Sequence, residues 1–135
     1  MRVRLNSIVV NDQEKALKFY TEVLDFVVKT NIPAGGARWI TLVPPDERDG
    51  PELVLEPAGY DFAKTYQQTL YERGIPFTAL ASDDVQAEYE KLIARDVRFQ
   101  GPPSKVESFP PMATFDDTCG NYIMIFEMER GGQPA

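Results

Sequence analysis

The sequence predicts an α+β protein built as two tandem βαβββ modules. Three observations carry that prediction. An apolar, β-branched stretch (Leu5 to Val10) runs into Asn11-Asp12, and a similar stretch (Ile75 to Ala81) runs into Asp83-Asp84. Each pair opens a segment of helical periodicity, Gln13 to Leu24 and Val85 to Arg95. Each helix is followed by an Asp and another apolar run, Asp25-Phe26-Val27-Val28 and Asp96-Val97-Arg98-Phe99. Internal duplication governs the fold and has to be recognised before any motif is interpreted.

The first strand is expected over Val3 to Val10, where β-branched residues are dense. Asp12 has the side chain of an N-cap, and Glu14 favours the positive end of the helix that follows. Ala16, Tyr20, Val23 and Leu24 recur at helical spacing, with Phe19 on the same side. Phe26 to Ile32 reads as the second strand and Pro33-Ala34-Gly35-Gly36 as a turn. Arg38 to Val43 reads as the third strand. Trp39, Thr41 and Val43 fall on one face and Arg38, Ile40 and Leu42 on the other. Pro44 to Pro51 is a proline-bounded loop, and Glu52 to Glu56 a short fourth strand. This defines module one as residues 1–56.

Residues 57–75 form a helical connector, with Phe62, Tyr66 and Leu70 at helical spacing and Gly74 as the stop. Module two, residues 76–128, repeats the order. Phe77 to Ala81 is a strand and Asp84 an N-cap. Val85, Tyr89, Leu92 and Ile93 mark a helix. Val97 to Phe99 is a strand, and Gly101-Pro102-Pro103 a break. Lys105 to Phe115 is a strand region interrupted by Pro110-Pro111. Asp116-Asp117-Thr118-Cys119-Gly120-Asn121 is a turn, and Tyr122 to Met128 the last strand. Residues 129–135 are expected to be a mobile tail.

Composition narrows the function. The 135 residues suit one domain made of two small modules. The net charge of −7 argues against nucleic acid and against anionic membrane surfaces, which recruit basic side chains. No run approaches the roughly 20 apolar residues of a membrane span. One cysteine, Cys119, allows no internal disulfide and, with no apolar leader visible, points to the cytoplasm. The chain contains no histidine, so histidine-based triads and histidine-containing metal sites are excluded.

The residues Asn11-Asp12, Ala16-Leu17-Lys18-Phe19-Tyr20 and Val23-Leu24-Asp25-Phe26 resemble the opening of glyoxalase-type chains. Asp116-Asp117-Thr118-Cys119-Gly120-Asn121 resembles the turn before the last strand of the same group. Together they make the chain similar to the vicinal oxygen chelate superfamily: glyoxalase I, extradiol dioxygenases and bleomycin-resistance proteins. Asp25 and Asp96 depart from the pattern, standing where glycine is usual. The resemblance implies a curved, half-open mixed sheet around a cavity. It places metal ligands on the first and last strands of each module, which here fall on Leu5, Val54, Phe77 and Met124. These side chains are not ligands for Mg, Mn, Fe or Zn. A register shift in the fourth strand brings in Glu52 or Glu56 instead.

The expected function is therefore binding of a small organic molecule in an apolar cavity, with no metal and no other cofactor. Leu5, Val54, Phe77 and Met124 would line its floor. Ser7, Arg38, Glu56, Thr78 and Tyr122 supply polar groups, and Trp39 a surface for stacking. The bland readings are strand packing for Trp39 and a surface ion pair for Arg38. The alternative is a lyase, isomerase or dioxygenase that uses a carboxylate metal site or Glu56 as a base. Glu56 is the weak catalytic candidate. Cys119, beside two aspartates, reads as inert. A homodimer is expected, because such relatives often dimerise.

Overall fold

The computed structural model describes residues 1–129 and the backbone of Gln133–Pro134. The chain packs as two compact units. One holds Met1–Gln68 with Thr118–Gly120, and the other holds Thr69–Asp117 with the chain from Asn121 onward.

In the first unit, β1 (Leu5–Val10) leads to Asp12, whose carboxylate accepts the Lys15 N–H at 3.0 Å. This N-cap satisfies one of the amide donors that a helix leaves open at its start. The helix α1 (Gln13–Lys18) then widens into a π turn over Phe19–Val23, where the sequence predicts uniform α-helix. Three strands follow: β2 (Val27–Ala34), β3 (Ala37–Val43) and β4 (Glu52–Pro57). The sheet order is β1-β4-β3-β2, with β1 parallel to β4 and the other pairs antiparallel. The turn is tighter than the sequence suggests, Gly35-Gly36 alone, because β2 runs through Pro33 to Ala34. Proline is tolerated there because β2 is an edge strand.

Strand pairing puts Ile8, Val10, Ile40, Leu42, Leu53 and Leu55 on one face, all buried. Ala16, Phe19 and Tyr20 from the helical segment complete this core. Gln13 closes a gap between β3 and β4, which pair only over Thr41–Leu42 and Leu53–Val54. Its amide donates to the carbonyls of Arg38 (2.8 Å) and Leu55 (2.9 Å) and accepts the Arg38 N–H. The side chain thereby supplies ladder bonds that the backbones do not make.

The helix α2 (Asp61–Glu72) turns Phe62 and Tyr66 outward, while its buried residue is Gln67. The apolar spacing at Phe62 and Tyr66 thus marks the exposed side. Gln67 is 5% exposed and donates to the carbonyls of Val9 (2.8 Å) and Cys119 (3.2 Å).

The second unit contains β5 (Thr78–Ser82), α3 (Val85–Ala94), β6 (Met112–Asp116) and β7 (Tyr122–Glu129) in the order β5-β7-β6. Asp84 caps α3 through the Ala87 N–H, and Glu127 accepts the Val85 N–H at 3.0 Å. Val85, Leu92, Phe115, Ile123 and Ile125 form its core; Ile93, from the same predicted stripe, is exposed.

Three expectations are corrected here. Val97 to Phe99 is not a strand, since Phe99 makes only an isolated bridge to Phe115. Lys105 to Pro111 is not strand either, and only Ser104 bridges to Met112. Pro110 and Pro111 have no N–H to give a ladder, which explains the second loss, while Val97–Phe99 keeps only the Asp116 N–H bond to the Arg98 carbonyl beside its bridge. Phe77 precedes β5, although its N–H bonds the Tyr122 carbonyl at 2.8 Å. Of the expected tail, Glu129 ends β7, Gln133–Pro134 pair with Met128 and Glu129, and the other residues lie outside those described.

Asp25 (φ 66) and Asp96 (φ 64) both sit in the left-handed region just past a helix end, where glycine is unstrained. Asp96→Gly is therefore expected to raise stability by about 0.5–1 kcal/mol, read as a higher urea midpoint with unchanged slope.

Candidate functional site

Each sheet has one face packed against its helix and one turned away. In the first unit the pairs Ser7↔Val54, Thr41↔Val54 and Ile32↔Trp39 fix which residues share the open face. Directly paired residues project to the same side, and side chains alternate along a strand. Leu5, Ser7, Ile32, Trp39, Thr41, Glu52, Val54 and Glu56 therefore occupy it. Leu5, Ile32 and Trp39 (36% exposed) are open, whereas Val54 and Thr41 are buried. Ser7 Oγ donates to Glu56 Oε1 at 3.3 Å. Thr41 Oγ1 is fully buried and has no hydrogen-bond partner among the described residues.

Five of the sequence-derived candidates are thus on one surface: Leu5, Ser7, Trp39, Val54 and Glu56. Arg38 is on the opposite face. Its Nη1 contacts Glu14 Oε2 at 2.7 Å and its Nε donates to Asn31 at 3.0 Å. It is the surface ion pair that the bland reading described. Sequence reasoning missed Thr41. Its period-2 match to Trp39 was the available signal.

In the second unit, Asp116↔Tyr122 and Thr114↔Met124 define the corresponding open face, with Met112 and Phe126. Ala79 pairs with Met124, so Phe77, two residues earlier, lies on the same face as Met124. Thr78 pairs with Ile123 and belongs to the helix side. Tyr71, from the last turn of α2, reaches this open face. Its hydroxyl donates to Asp116 Oδ2 at 2.5 Å, and its ring stacks on Tyr122 with centroids 4.6 Å apart. Around them lies a groove of about 230 Å³ lined also by Arg98, Phe99 and Gln100.

The hydrogen bond to Asp116, with burial adding to it, holds the Tyr71 phenol well above its ordinary value. The folded protein therefore keeps the Tyr71 proton more tightly than the unfolded chain does. The stabilisation is complete below the ordinary phenol pKa of about 10 and is lost as pH rises toward the higher folded value. Of the six tyrosines, one is expected to resist ionisation in an alkaline absorbance titration until the fold is lost. Stability above that pH should fall more steeply in the native protein than in Tyr71→Phe. Parallel slopes would refute the assignment.

Among the described residues no group of three or more His, Cys, Asp or Glu is placed to hold a metal ion. No helix among them is long and apolar enough to cross a membrane.

Two units, each a mixed sheet with helices against it, define a small α+β protein. The chain belongs to the glyoxalase/bleomycin resistance protein/dioxygenase superfamily, whose family model matches residues 3–125. It is 46% identical over 127 residues to the uncharacterized protein YurT of Bacillus subtilis (strain 168), covering 94% of this chain and 99% of that one. The crystal structure of UcmS2 superposes with a TM-score of 0.80 at 32% identity, over 93% of this chain and 97% of that one. TnmS3, an antibiotic binding protein from Streptomyces sp. CB03234, superposes with a TM-score of 0.74 at 28% identity, over 100% of this chain and 97% of its own. The α+β, glyoxalase-like class read from the sequence is thus the fold of this protein.

Proposed function

We propose that this protein binds a small organic molecule on the open face of its first unit, without a catalytic metal, and so sequesters or senses it. The observation that carries the reading is the pairing of an exposed tryptophan with apolar neighbours around a buried, unpartnered hydroxyl. Trp39 and Ile32 offer apolar surface, Ser7 and Glu56 a polar pair, and Thr41 a donor with nothing to bond. An apolar surface with a few convergent polar groups is how small-molecule sites are built. The likeness to TnmS3, an antibiotic binding protein, supports the ligand class. Leu5 and Val54 belong to this face, and Phe77 and Met124 supply comparable apolar surface in the second unit. Arg38 is left out, because it is engaged with Glu14.

We also take the protein to be a cytoplasmic homodimer. A single buried cysteine fits a reducing compartment.

Trp39 is the only tryptophan in the chain, so it reports on its own face. Titration with a panel of planar aromatic antibiotics is expected to quench its fluorescence, and Trp39→Phe is expected to keep part of the affinity while Trp39→Ala loses about tenfold. Absence of quenching across the panel would reject the reading. Stoichiometric metal in protein purified without added metal, with activity lost in Glu56→Gln, would favour the lyase or dioxygenase alternative.

A further inference from the structure

On the open face of the first unit, one carboxylate has no counter-charge. Trp39 and Glu56 each stand two residues beyond the Thr41↔Val54 pair, in the antiparallel sense that brings them abreast. The backbones of β3 and β4 do not pair at this level. The amide nitrogen of Gln13 bridges the carbonyls of Arg38 and Leu55 instead, at 2.8 and 2.9 Å, and so wedges the two strands apart. Trp39 and Glu56 are therefore set wider than the roughly 5 Å between Cβ atoms of a bonded cross-strand pair. Glu56 is half-buried, and Ser7 Oγ, at 3.3 Å, is its one side-chain partner among the described residues. The bases that border the face are occupied elsewhere. Arg4 donates to the carbonyls of Asp49 (2.7 Å) and Gly50 (3.1 Å), and Lys29 to that of Arg48 (2.7 Å). The Trp39 side chain makes no hydrogen bond or ring contact among the described residues. One step along the same face, Thr41 Oγ1 is buried and unbonded among those residues.

We propose, resting on the reading of this face as a small-molecule site, that its ligand carries a protonated amine held between the Trp39 ring and the Glu56 carboxylate, with Thr41 accepting one of its N–H groups. A cation over an indole face is attracted by the ring's quadrupole, and the carboxylate opposite adds a charge-assisted hydrogen bond. An anion would be repelled by Glu56. A neutral ring would shield the carboxylate from water and replace none of that solvation. Both are therefore selected against at this position. An amine also has an N–H to give the unbonded Thr41 oxygen, whereas a bare ring has none. Thr41 has no exposed surface, so the amine reaches it by displacing a neighbour, and the Trp39 ring, exposed and unbonded, is the one free to move.

The test is calorimetric titration of the full chain, near neutral pH, with 9-aminoacridine, which is then protonated, acridine, which is then uncharged, and acridine-9-carboxylate. 9-Aminoacridine is expected to bind about tenfold tighter than acridine, and the carboxylate more weakly than either. That advantage should shrink as salt is raised. Glu56→Gln keeps the Ser7 bond and removes the charge, and should bring the two affinities to within about twofold. Glu52 is about 13 Å further along β4, beyond a Debye length of ~8 Å, so Glu52→Gln should keep most of the advantage. Thr41→Val keeps the shape without the hydroxyl and should weaken 9-aminoacridine roughly threefold. Equal affinity for 9-aminoacridine and acridine, an advantage untouched by Glu56→Gln or lost equally in Glu52→Gln, or an unaltered 9-aminoacridine titration in Thr41→Val would overturn the proposal and leave the sheet-face reading standing. No heat with any of the three would overturn it as well. Trp39 quenching by the antibiotic panel would then still uphold the binding face, and silence in both experiments would reject both.

Discussion

Gly120→Ala should lower stability by about 3 kcal/mol. Two costs add. Gly120 has φ +97, where a side chain is strained by about 1–2 kcal/mol. An added Cβ would also stand 2.8 Å from Gln67 Nε2 and 2.9 Å from its Cδ. A flexible side chain would normally swing away at little cost. Gln67 is not free to do so, because its amide holds the carbonyls of Val9 and Cys119, and each such bond is worth about 1 kcal/mol. The two costs separate experimentally. In a Gln67→Ala background the clash is gone, so Gly120→Ala should cost about 1–2 kcal/mol there and the double mutant should be less unstable than the sum. A loss below about 1 kcal/mol in the native background, measured by urea denaturation, would mean that Gln67 yields without losing its bonds.

How far the sequence reveals this protein depends on which interaction decides each element. Asp12 and Asp84 are N-caps on sight, because the capping bond is local and both carboxylates make it. The strand-then-helix opening of each module was legible for the same reason: strand and helix periods are written in neighbouring residues. The strand expected at Val97–Phe99 shrinks to a bridge with Phe115, because the chain leaves the ladder at Gly101-Pro102-Pro103 directly after Gln100. The outward turn of Phe62 and Tyr66 was illegible because helical spacing defines a stripe without saying whether it faces the core. Gln67, a polar residue, took the buried position through bonds to carbonyls distant in sequence. The candidate site divides along the same line. The shared face of Trp39 and Glu56 follows from strand alternation, whereas the pairing of Arg38 with Glu14 is not legible because Glu14 is on another element. The Tyr71–Asp116 bond joins residues of a helix and a strand, and nothing local announces it.

Asp117→Ala is the second large effect, again about 3 kcal/mol, and it decides what the turn that carries the family resemblance is for. Asp117 is fully buried, and its two carboxylate oxygens accept from the Asn121 N–H at 3.0 Å and from Asn121 Nδ2 at 2.8 Å. The Asp117 N–H returns a bond to the Asn121 carbonyl at 3.0 Å. Truncation strands two donors of Asn121, itself 2% exposed, where water does not reach. Each stranded buried donor costs about 1–3 kcal/mol. Asp117→Asn does not rescue the pair. Its amide must present either N–H₂ to the Asn121 side chain or N–H₂ to the Asn121 backbone, so one donor always meets another. It should cost about 2 kcal/mol despite equal size. Both substitutions should leave the ligand affinity of the folded fraction unchanged, because the side chain is buried and bonds Asn121 within the turn. The opposite pattern, normal stability with binding lost in Asp117→Ala, would make this turn part of the chemistry. The hydrogen bonds argue for the first outcome: both oxygens accept from Asn121 and so join the ends of β6 and β7.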